Sequence, residues 1–368
     1  MQLVKTGRDE ILRPLQTVSG IVERRQTLPI LANILIRKQG SDISFLSTDT
    51  EIQIITHAPI GAEEEDATTT VAARKLQDIL RTLPDDADVT LSLNDKKLVV
   101  STGRSRFSLQ TLPAEDFPIV NQPAEFDASV SLPQKDLKNL LGMVSFAMAQ
   151  QDIRYYLNGL LLQLDGKQIN AVATDGHRLA FCTLETAQEY AKRDLILPRK
   201  TVLELLRLLG ETDEMVRIDF AQTQIRFVFG SVEFVSKLVE GKFPDYTRVI
   251  PKNYQNRFEI SREALLRSLQ RAAIMTTDKY KGIRCILAPD SLKINSTNAD
   301  QEEALEELEI SFNGDGFEIG FNVTYLLDVL TNLKNDNMQI ELMDGNSSVL
   351  MTVPENSSFK YVVMPMRI

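Results

Sequence analysis

The 368-residue sequence is poor in the residue types on which secreted proteins and most metalloenzymes depend. It contains two Cys, two His and no Trp. Cys182 and Cys285 are too few and too far apart for a disulfide framework or a thiolate metal site, which indicates a reducing, cytoplasmic compartment. No apolar run approaches the ~20 residues that span a bilayer, and the N-terminus lacks the basic-then-apolar layout of a signal peptide. We therefore expect a protein that stays in solution inside the cell.

Signatures of catalysis are missing as well. Neither Gly-Lys pair, at 166–167 or 241–242, has the flanking residues of a phosphate-binding loop. His57 and His177 lie 120 residues apart, which leaves little for a metal site or a catalytic triad. His177 could act as a base only beside a nucleophile that the sequence does not identify, and a core position is its alternative. We expect no catalytic residue, no metal and no cofactor.

What the sequence does contain is an internal repeat. Three leucine-rich segments share one layout and begin at Arg74, Arg199 and Val323, so they are 125 and then 124 residues apart. Self-similarity at a fixed spacing predicts repeated structural units. We therefore expect three tandem domains. Their predicted boundaries are 1–125, 126–251 and 252–368.

Each repeat combines two hydrophobic periodicities. Leu137, Leu140, Leu141 and Val144 follow the spacing of an amphipathic helix. Other runs alternate with period two, as strands do. Each half-repeat then has one helix and several short antiparallel strands, which predicts an α+β fold with two helices packed on antiparallel sheets in each domain. The six predicted helices cover 7–16, 74–83, 134–146, 199–209, 261–274 and 323–334.

Two local features test this predicted arrangement of helices and strands. Residues 301–309 have helical composition, but the repeat aligns them with strand-like segments at 51–55 and 177–181, so we predict a strand. Asp165-Gly166 has turn chemistry and predicts a turn between two strands.

The formal net charge of −10 is unevenly distributed. The six predicted helices carry 14 Lys or Arg against seven Asp or Glu, a net +7, which leaves −17 for the rest of the chain. A positive helical side suits the backbone of a polyanion and gives contact without sequence reading. The alternative is that basic residues are simply common on solvated helix faces.

Two charged strips could join copies of the chain. The first repeat has Arg104 and Arg106 beside Phe107, and the third repeat has the acidic run around 302–307. Complementary strips at opposite ends of a chain would allow head-to-tail association. The alternative is two unrelated surface patches.

Several longer motifs carry a resemblance that covers the whole chain. They are Thr27-Leu-Pro-Ile-Leu31, Gly103-Arg-Ser-Arg-Phe-Ser-Leu109, Gln151-Asp-Ile-Arg-Tyr-Tyr-Leu-Asn-Gly159, Thr174-Asp-Gly-His-Arg-Leu179, Phe243-Pro-Asp-Tyr246 and Tyr361-Val-Val-Met-Pro-Met-Arg367. With the three-domain repeat, they closely resemble the bacterial DNA polymerase III beta subunit, the sliding clamp. The resemblance implies a head-to-tail homodimeric ring with helices inside and sheets outside, which encircles duplex DNA and tethers the polymerase. Twelve helices at ~9 Å each imply a bore of about 35 Å.

The resemblance also implies three sets of site residues. The implied DNA-binding positions are Arg25, Gln151, Tyr155, Tyr156, Arg199 and Lys200. Tyr155 and Tyr156 beside Arg154 suit stacking on single-stranded bases, with buried tyrosines as the alternative. The implied dimer interface pairs Lys75, Arg104, Arg106 and Phe107 with Ile274, Met275, Glu302, Glu303 and Glu306. Gln150 stands where a well-known member of the family has His.

The third set is a cleft for short peptides with hydrophobic anchors. It comprises Leu157, Thr174, Gly176, His177, Arg178, Leu179, Pro244, Arg248, Val249, Asn346, Ser348, Val362, Met364, Pro365 and Met366. A Met-lined apolar cleft suits many peptides, although Asn346 is more polar than the family's small apolar residue. The implied partners are the polymerase III alpha subunit, the clamp loader, and other DNA polymerases and repair proteins. The alternative function is a peptide-binding scaffold whose ring never engages DNA.

Overall fold

The computed structural model describes residues 1–22, 28–62, 65–252, 254–277, 279–354 and 356–367. The chain forms two compact units, each made from two stretches of sequence. The first unit contains residues 1–137 and 207–238, and the second contains residues 138–206 and 239–368. Neighbouring strands in both units pair antiparallel, which confirms the predicted fold class.

The described part of the chain has six α-helices, and their ends differ from the predicted ones by at most two residues. They are α1 Arg8–Val18, α2 Ala73–Thr82, α3 Gln134–Ser145, α4 Arg199–Leu208, α5 Arg262–Ala273 and α6 Val323–Asn332. Because α6 ends at Asn332, Lys334 lies beyond it, and the helices carry 13 basic and seven acidic residues. None of these helices is long and apolar enough to cross a membrane.

The described residues of the first unit form two sheets. The four-stranded sheet has the spatial order β1 Gln2–Gly7, β6 Asp88–Asn94, β7 Lys97–Thr102 and β8 Ser105–Gln110. The eight-stranded sheet has the order β5 Ala67–Ala72, β2 Asn33–Gln39, β3 Asp42–Thr48, β4 Ile52–Ala58, β14 Val232–Lys237, β13 Gln224–Phe229, β12 Met215–Phe220 and β9 Ala128–Pro133. The β4–β14 pairing joins the first repeat to the second.

In the second unit, the residues that the structure describes also form two sheets. The six-stranded sheet has the order β10 Gly159–Thr174, β11 Arg178–Pro198, β22 Asn356–Val363, β21 Val349–Val353, β20 Asn337–Leu342 and β15 Asn256–Ser261. The four-stranded sheet has the order β18 Glu303–Glu309, β17 Ser291–Thr297, β16 Gly282–Ala288 and β19 Phe317–Asn322. The β11–β22 pairing joins the second repeat to the third. The strands of the second repeat are therefore divided between the two compact units.

The helices bury one apolar face each. In α1, Ile11, Leu12, Leu15 and Val18 are buried and recur at the spacing of a single helix face. Each such side chain contributes about 1.5–3 kcal/mol when fully removed from water. The hydrophobic spacing therefore determines which face of each helix packs inward.

Two local predictions have different outcomes. Residues 303–309 form β18 and pair with β17, so the strand prediction is confirmed despite their helical composition. The turn predicted at Asp165-Gly166 is wrong, because both residues lie inside β10. Gly166 has a φ of 59° and sits at an irregularity in the β10–β11 register. The left-handed glycine therefore forms a bulge in a long ribbon and does not end a strand.

Candidate functional site

An apolar cleft of about 190 Å³ lies in the second unit. Ten of the fifteen residues predicted for a peptide cleft line it. They are Leu157, Thr174, Gly176, His177, Arg178, Leu179, Pro244, Val249, Val362 and Met364. Segments from β10, β11, β22 and the linker after β14 meet here, although they are far apart in the sequence.

The turn between β10 and β11 shapes one wall of the apolar cleft. The Asp175 carboxylate accepts hydrogen bonds from the backbone N–H groups of His177 at 2.9 Å and Arg178 at 3.1 Å. The Thr174 hydroxyl accepts from the Gly176 N–H at 3.1 Å and donates to the Arg178 carbonyl at 2.6 Å. Gly176 has a φ of 90°, which favours glycine. Side chains of the Thr-Asp-Gly-His-Arg motif therefore build the turn themselves.

Arg178 links this turn to α6 and to the residue that follows α3. Its guanidinium donates to Asp175 at 3.1 Å, to Asp328 of α6 at 2.6 Å and to the Phe146 carbonyl at 2.8 Å. It also lies 4.6 Å from the centroid of the Tyr325 ring. Burial alone would lower the pKa of Arg178, but Tyr361, Asp328 and Asp175 outweigh it and raise that pKa. Arg178 is therefore a charged residue of the cleft lining that holds the β10–β11 turn against α6.

His177 has an exposed position in the cleft wall, so the alternative of a core histidine is wrong. Its ring stacks on Tyr325 with centroids 6.4 Å apart. Its backbone carbonyl accepts a hydrogen bond from the Met364 N–H at 2.9 Å. Among the described residues, no group of three His, Cys, Asp or Glu side chains could hold a metal ion.

The cleft floor is a buried apolar cluster. Leu157, Leu179 and Val362 are at most 2% exposed and pack with Phe243 and Tyr246 in one group. Met364 at the rim is 40% exposed, so an adaptable thioether borders a buried floor. This arrangement can receive apolar side chains of a ligand, while polar groups of the β10–β11 turn border them.

Five predicted cleft residues do not line the cavity. They are Arg248, Asn346, Ser348, Pro365 and Met366. The exposed Arg248 pairs with Asp245 at 2.9 Å, and the Met366 N–H donates to the Gly320 carbonyl at 2.8 Å. We predicted these residues from the resemblance alone, and the structure places them beside the apolar cleft or farther from it.

Four other residues line the apolar cleft without having been predicted to do so. They are Arg154, Tyr156, Phe243 and Tyr246. The Phe243-Pro-Asp-Tyr246 motif could have indicated two of them, because it places two large aromatic residues three positions apart. The structure buries both aromatic residues and exposes the two residues between them. Tyr156 was assigned to DNA contact, and its half-buried ring packs against the cleft cluster.

The predicted DNA-binding residues are only partly brought together. Arg25 lies outside the described residues. Gln151 and Tyr155 are exposed, and Gln151 adopts a φ of 57°. Tyr155 is 58% exposed and could stack on a base. Tyr156 is half-buried, which is closer to the alternative of buried tyrosines. Arg199 and Lys200 open α4, where Arg199 donates to the Met148 carbonyl at 3.3 Å.

Arg154 has a fixed partner and is not a free stacking cation. Its guanidinium forms a two-pronged ion pair with Asp152, with N–O distances of 3.0 and 2.8 Å. This hydrogen bonding lowers the pKa of Asp152 to about 2. Asp152 and Arg199 line a polar cavity of about 540 Å³ that shares His177 and Arg178 with the apolar cleft.

The residues predicted for the dimer interface lie on two sheet edges and on or after two helices. In the first unit, Arg106 and Phe107 belong to β8, an edge strand that Arg104 directly precedes, and Lys75 lies on α2. In the second unit, Glu303 and Glu306 belong to the edge strand β18, Glu302 directly precedes that strand, and Ile274 and Met275 follow α5. The two edges are in different units.

The acidic edge is already partly neutralised within its own unit. The Nε of Arg271 donates to Glu306 at 2.8 Å, and Ser268 donates to the same carboxylate at 2.9 Å. The hydrogen bond from Arg271 is the largest of the effects that lower the pKa of Glu306. Ile274 and Leu305 on this side are 72% and 59% exposed. The edge therefore presents apolar surface as well as charge.

Comparison with known proteins identifies the family. The family descriptions "DNA polymerase III beta subunit" for the N-terminal, central and C-terminal domains match residues 2–121, 131–245 and 247–367. The beta sliding clamp of Pseudomonas putida is 46% identical over 362 residues, and that of Escherichia coli K12 is 43% identical over 361, with 98% of each chain covered. A Pseudomonas aeruginosa sliding clamp bound to griselimycin has a TM-score of 0.95 at 45% identity, with both chains fully covered. The chain therefore belongs to the family of DNA polymerase III beta subunits, the bacterial DNA sliding clamps.

Proposed function

We propose that this chain is a DNA sliding clamp, a processivity factor for the replicative DNA polymerase. The observation that carries the proposal is the match of three consecutive beta-subunit domains, which together span nearly the whole chain. As the accessory beta subunit of the DNA polymerase III holoenzyme, it contributes no catalysis of its own. It works in the bacterial cytoplasm on nucleoid DNA and needs no cofactor.

The chain acts as a homodimeric ring of six domains. The proposed domains are 1–125, 126–251 and 252–368, and two chains join head to tail through the edges β8 and β18. Exposed strand edges are templates for pairing with another chain. Arg104, Arg106 and Phe107 on one edge complement the acidic and apolar side chains of the other edge. Closing the ring would therefore extend two four-stranded sheets across each interface.

DNA passes through the ring and is held without sequence reading. Basic residues on helices supply the contacts to phosphate, and Arg199 and Lys200 at the start of α4 are examples. Arg25, Gln151, Tyr155 and Tyr156 complete the proposed set. Arg81 on α2 has no acidic partner within 4 Å among the residues that the structure describes, so α2 keeps cationic charge for a polyanion.

The apolar cleft tethers partner proteins by a short peptide. Its buried floor takes apolar anchors, and Met364 at its rim adapts to different ones. A relative that is 45% identical has been crystallised with griselimycin, which supports a ligand site on such a clamp. The proposed partners are the polymerase III alpha subunit, the clamp loader, and other DNA polymerases and repair proteins.

Retention on DNA of different topology tests the ring. The chain is placed by a clamp loader on nicked circular DNA, separated from free protein, and followed with and without linearisation of the circle. We expect the clamp to remain on the circle and to leave after one cut, because a closed ring is held by topology and can slide off an end. Equal loss from both forms would exclude a topological clamp. No stable loading on either DNA would favour a peptide-binding scaffold that does not encircle DNA.

A further inference from the structure

A third cavity, which we call the linker cavity, lies directly beside the apolar cleft. It has a volume of about 890 Å³ and lies between the linker that follows β14 and one face of the six-stranded sheet. Phe243, Pro244 and Tyr246 line both spaces. The two spaces therefore adjoin at these three residues, and a peptide bound in the apolar cleft would lie beside the linker cavity.

The inner wall of the linker cavity is a hydrogen-bonded chain of polar groups. Gln163 donates to Asp194 at 2.8 Å, and it accepts from Asn170 at 3.1 Å and from the Tyr246 hydroxyl at 2.8 Å. Asn170 is only 6% exposed, and its Oδ1 has no hydrogen-bond partner within the described parts of the chain. The same is true of the buried hydroxyl of Tyr254. Buried polar atoms without partners are uncommon, because each costs free energy.

These two atoms need hydrogen-bond partners of opposite kinds, a donor for Asn170 Oδ1 and an acceptor for the Tyr254 hydroxyl. Asn170 Oδ1 only accepts hydrogen bonds, so it needs a donor such as a peptide N–H group. Burial raises the pKa of Tyr254, and the neighbouring charge of Glu341 raises it further. The Tyr254 hydroxyl therefore stays protonated at neutral pH and can donate to a carboxylate. A bound peptide segment offers both kinds of group, and it reaches these two buried atoms once the side chains that cover them move aside.

Four acidic side chains and four lysines line the linker cavity, but the acids have more hydrogen-bond or ion-pair partners than the lysines have. Its acids have partners: Asp165 pairs with Lys192 at 3.5 Å, Asp194 accepts from Gln163, Asp245 pairs with Arg248 at 2.9 Å, and Glu341 accepts from Gln339 at 2.7 Å. Three lysines of the lining have no acidic partner within 4 Å among the residues that the structure describes. They are Lys242, Lys252 and Lys360. The ammonium groups of these three lysines are therefore not engaged in ion pairs and can pair with carboxylates of a ligand.

We propose that the linker cavity binds an acidic flank of the same partner peptide whose apolar anchors occupy the apolar cleft. This inference rests on the proposed peptide-binding function of that cleft. Carboxylates of the flank accept from the three lysines and from Tyr254, and a backbone N–H of the flank donates to Asn170. The linker cavity then discriminates among partners that present similar anchors.

The test compares peptides that differ only in their flanks. One fluorescent peptide carries apolar anchors alone, two carry four Glu residues before or after the anchors, and two matched controls carry four Gln residues in the same places. Affinity for the full-length chain is measured by fluorescence anisotropy at low salt. We expect one Glu-flanked peptide to bind roughly tenfold more tightly than its Gln control, and salt to reduce the gain because exposed charges are screened.

Variants assign that gain to the linker cavity. K242S/K252S/K360S should reduce the gain to about twofold or less, and Y254F should reduce it in part, with the anchors-only affinity unchanged. Lys167 is an exposed lysine of the same ribbon that does not line the cavity, so K167S should keep the full gain.

The outcomes separate this inference from the proposed function. Failure of the anchors-only peptide to bind would contradict the apolar cleft itself. Normal binding of that peptide with no gain from Glu on either side, or a gain that survives the triple lysine variant, would overturn the linker cavity alone. Displacement of the Glu-flanked peptide by an equally charged oligonucleotide would assign the lysines to nucleic acid and overturn it as well.

Discussion

Arg178 and Gly176 show how single residues of one motif serve different physical purposes. Arg178 is largely buried between two carboxylates, so removing it would leave Asp175 and Asp328 without their shared cation. Gly176 adopts a left-handed φ, and an added Cβ would lie 3.0 Å from the Arg154 guanidinium. The motif therefore combines a buried cation that pairs with two carboxylates and a backbone position that needs glycine.

The ion pair between Arg154 and Asp152 allows a prediction about pH. Its hydrogen bonds lower the pKa of Asp152 from 3.8 to about 2. Because the folded-state pKa is the lower one, the pair stabilises the fold fully above pH 3.8 and loses that contribution as the pH falls through about 2. We expect an NMR titration of the Asp152 carboxylate to have its midpoint near the lower value, and R154Q to move it toward the ordinary one.

Asp245 is the control for this titration. Its pKa is lowered mainly by hydrogen bonding from Thr247, so R154Q should leave it unchanged. An Asp152 midpoint that is the same in both proteins would contradict the assignment to Arg154.

At the scale of elements, the strand β18 shows tertiary pairing overriding propensity. Its sequence of Glu, Ala and Leu favours a helix in isolation, yet it pairs along its whole length with β17. The repeat predicted this, since the equivalent segments of the other two repeats have strand patterns. The bulge at Gly166 was not predictable in the same way, because an Asp-Gly pair has the same chemistry in a turn and in a bulge.

Charge reversal on the edge strand tests the proposed dimer. R104E/R106E would place negative charge opposite the acidic edge around β18, so we expect a shift from dimer to monomer in analytical ultracentrifugation. K96E/K97E is the matched control, because it reverses two exposed lysines at the β6–β7 turn of the same sheet. A dimer that survives R104E/R106E would refute this interface.

At the scale of the whole molecule, a topological clamp predicts an unusual response to salt. Affinity that depends on phosphate contacts falls steeply between about 50 and 200 mM salt, because binding releases counterions. A closed ring on circular DNA is held without such affinity. We expect its rate of loss from circular DNA to change little over this range, while binding to short linear DNA weakens strongly. Equal salt dependence of both would mean that the protein is held by charge alone.

The sequence by itself determined the repeat, the six helices and most of the apolar cleft. Hydrophobic periodicity specifies which face of an element is buried, and long motifs specify the family. Only the tertiary structure decided how the second repeat is shared between two compact units, because strand pairing between repeats leaves no local signal. It also decided which cations remain available. In the sequence, Arg154 and Lys360 are both simply basic residues. In the structure, Arg154 pairs with Asp152, whereas Lys360 has no acidic partner within the described parts of the chain and lies 5.7 Å from the centroid of the Phe181 ring.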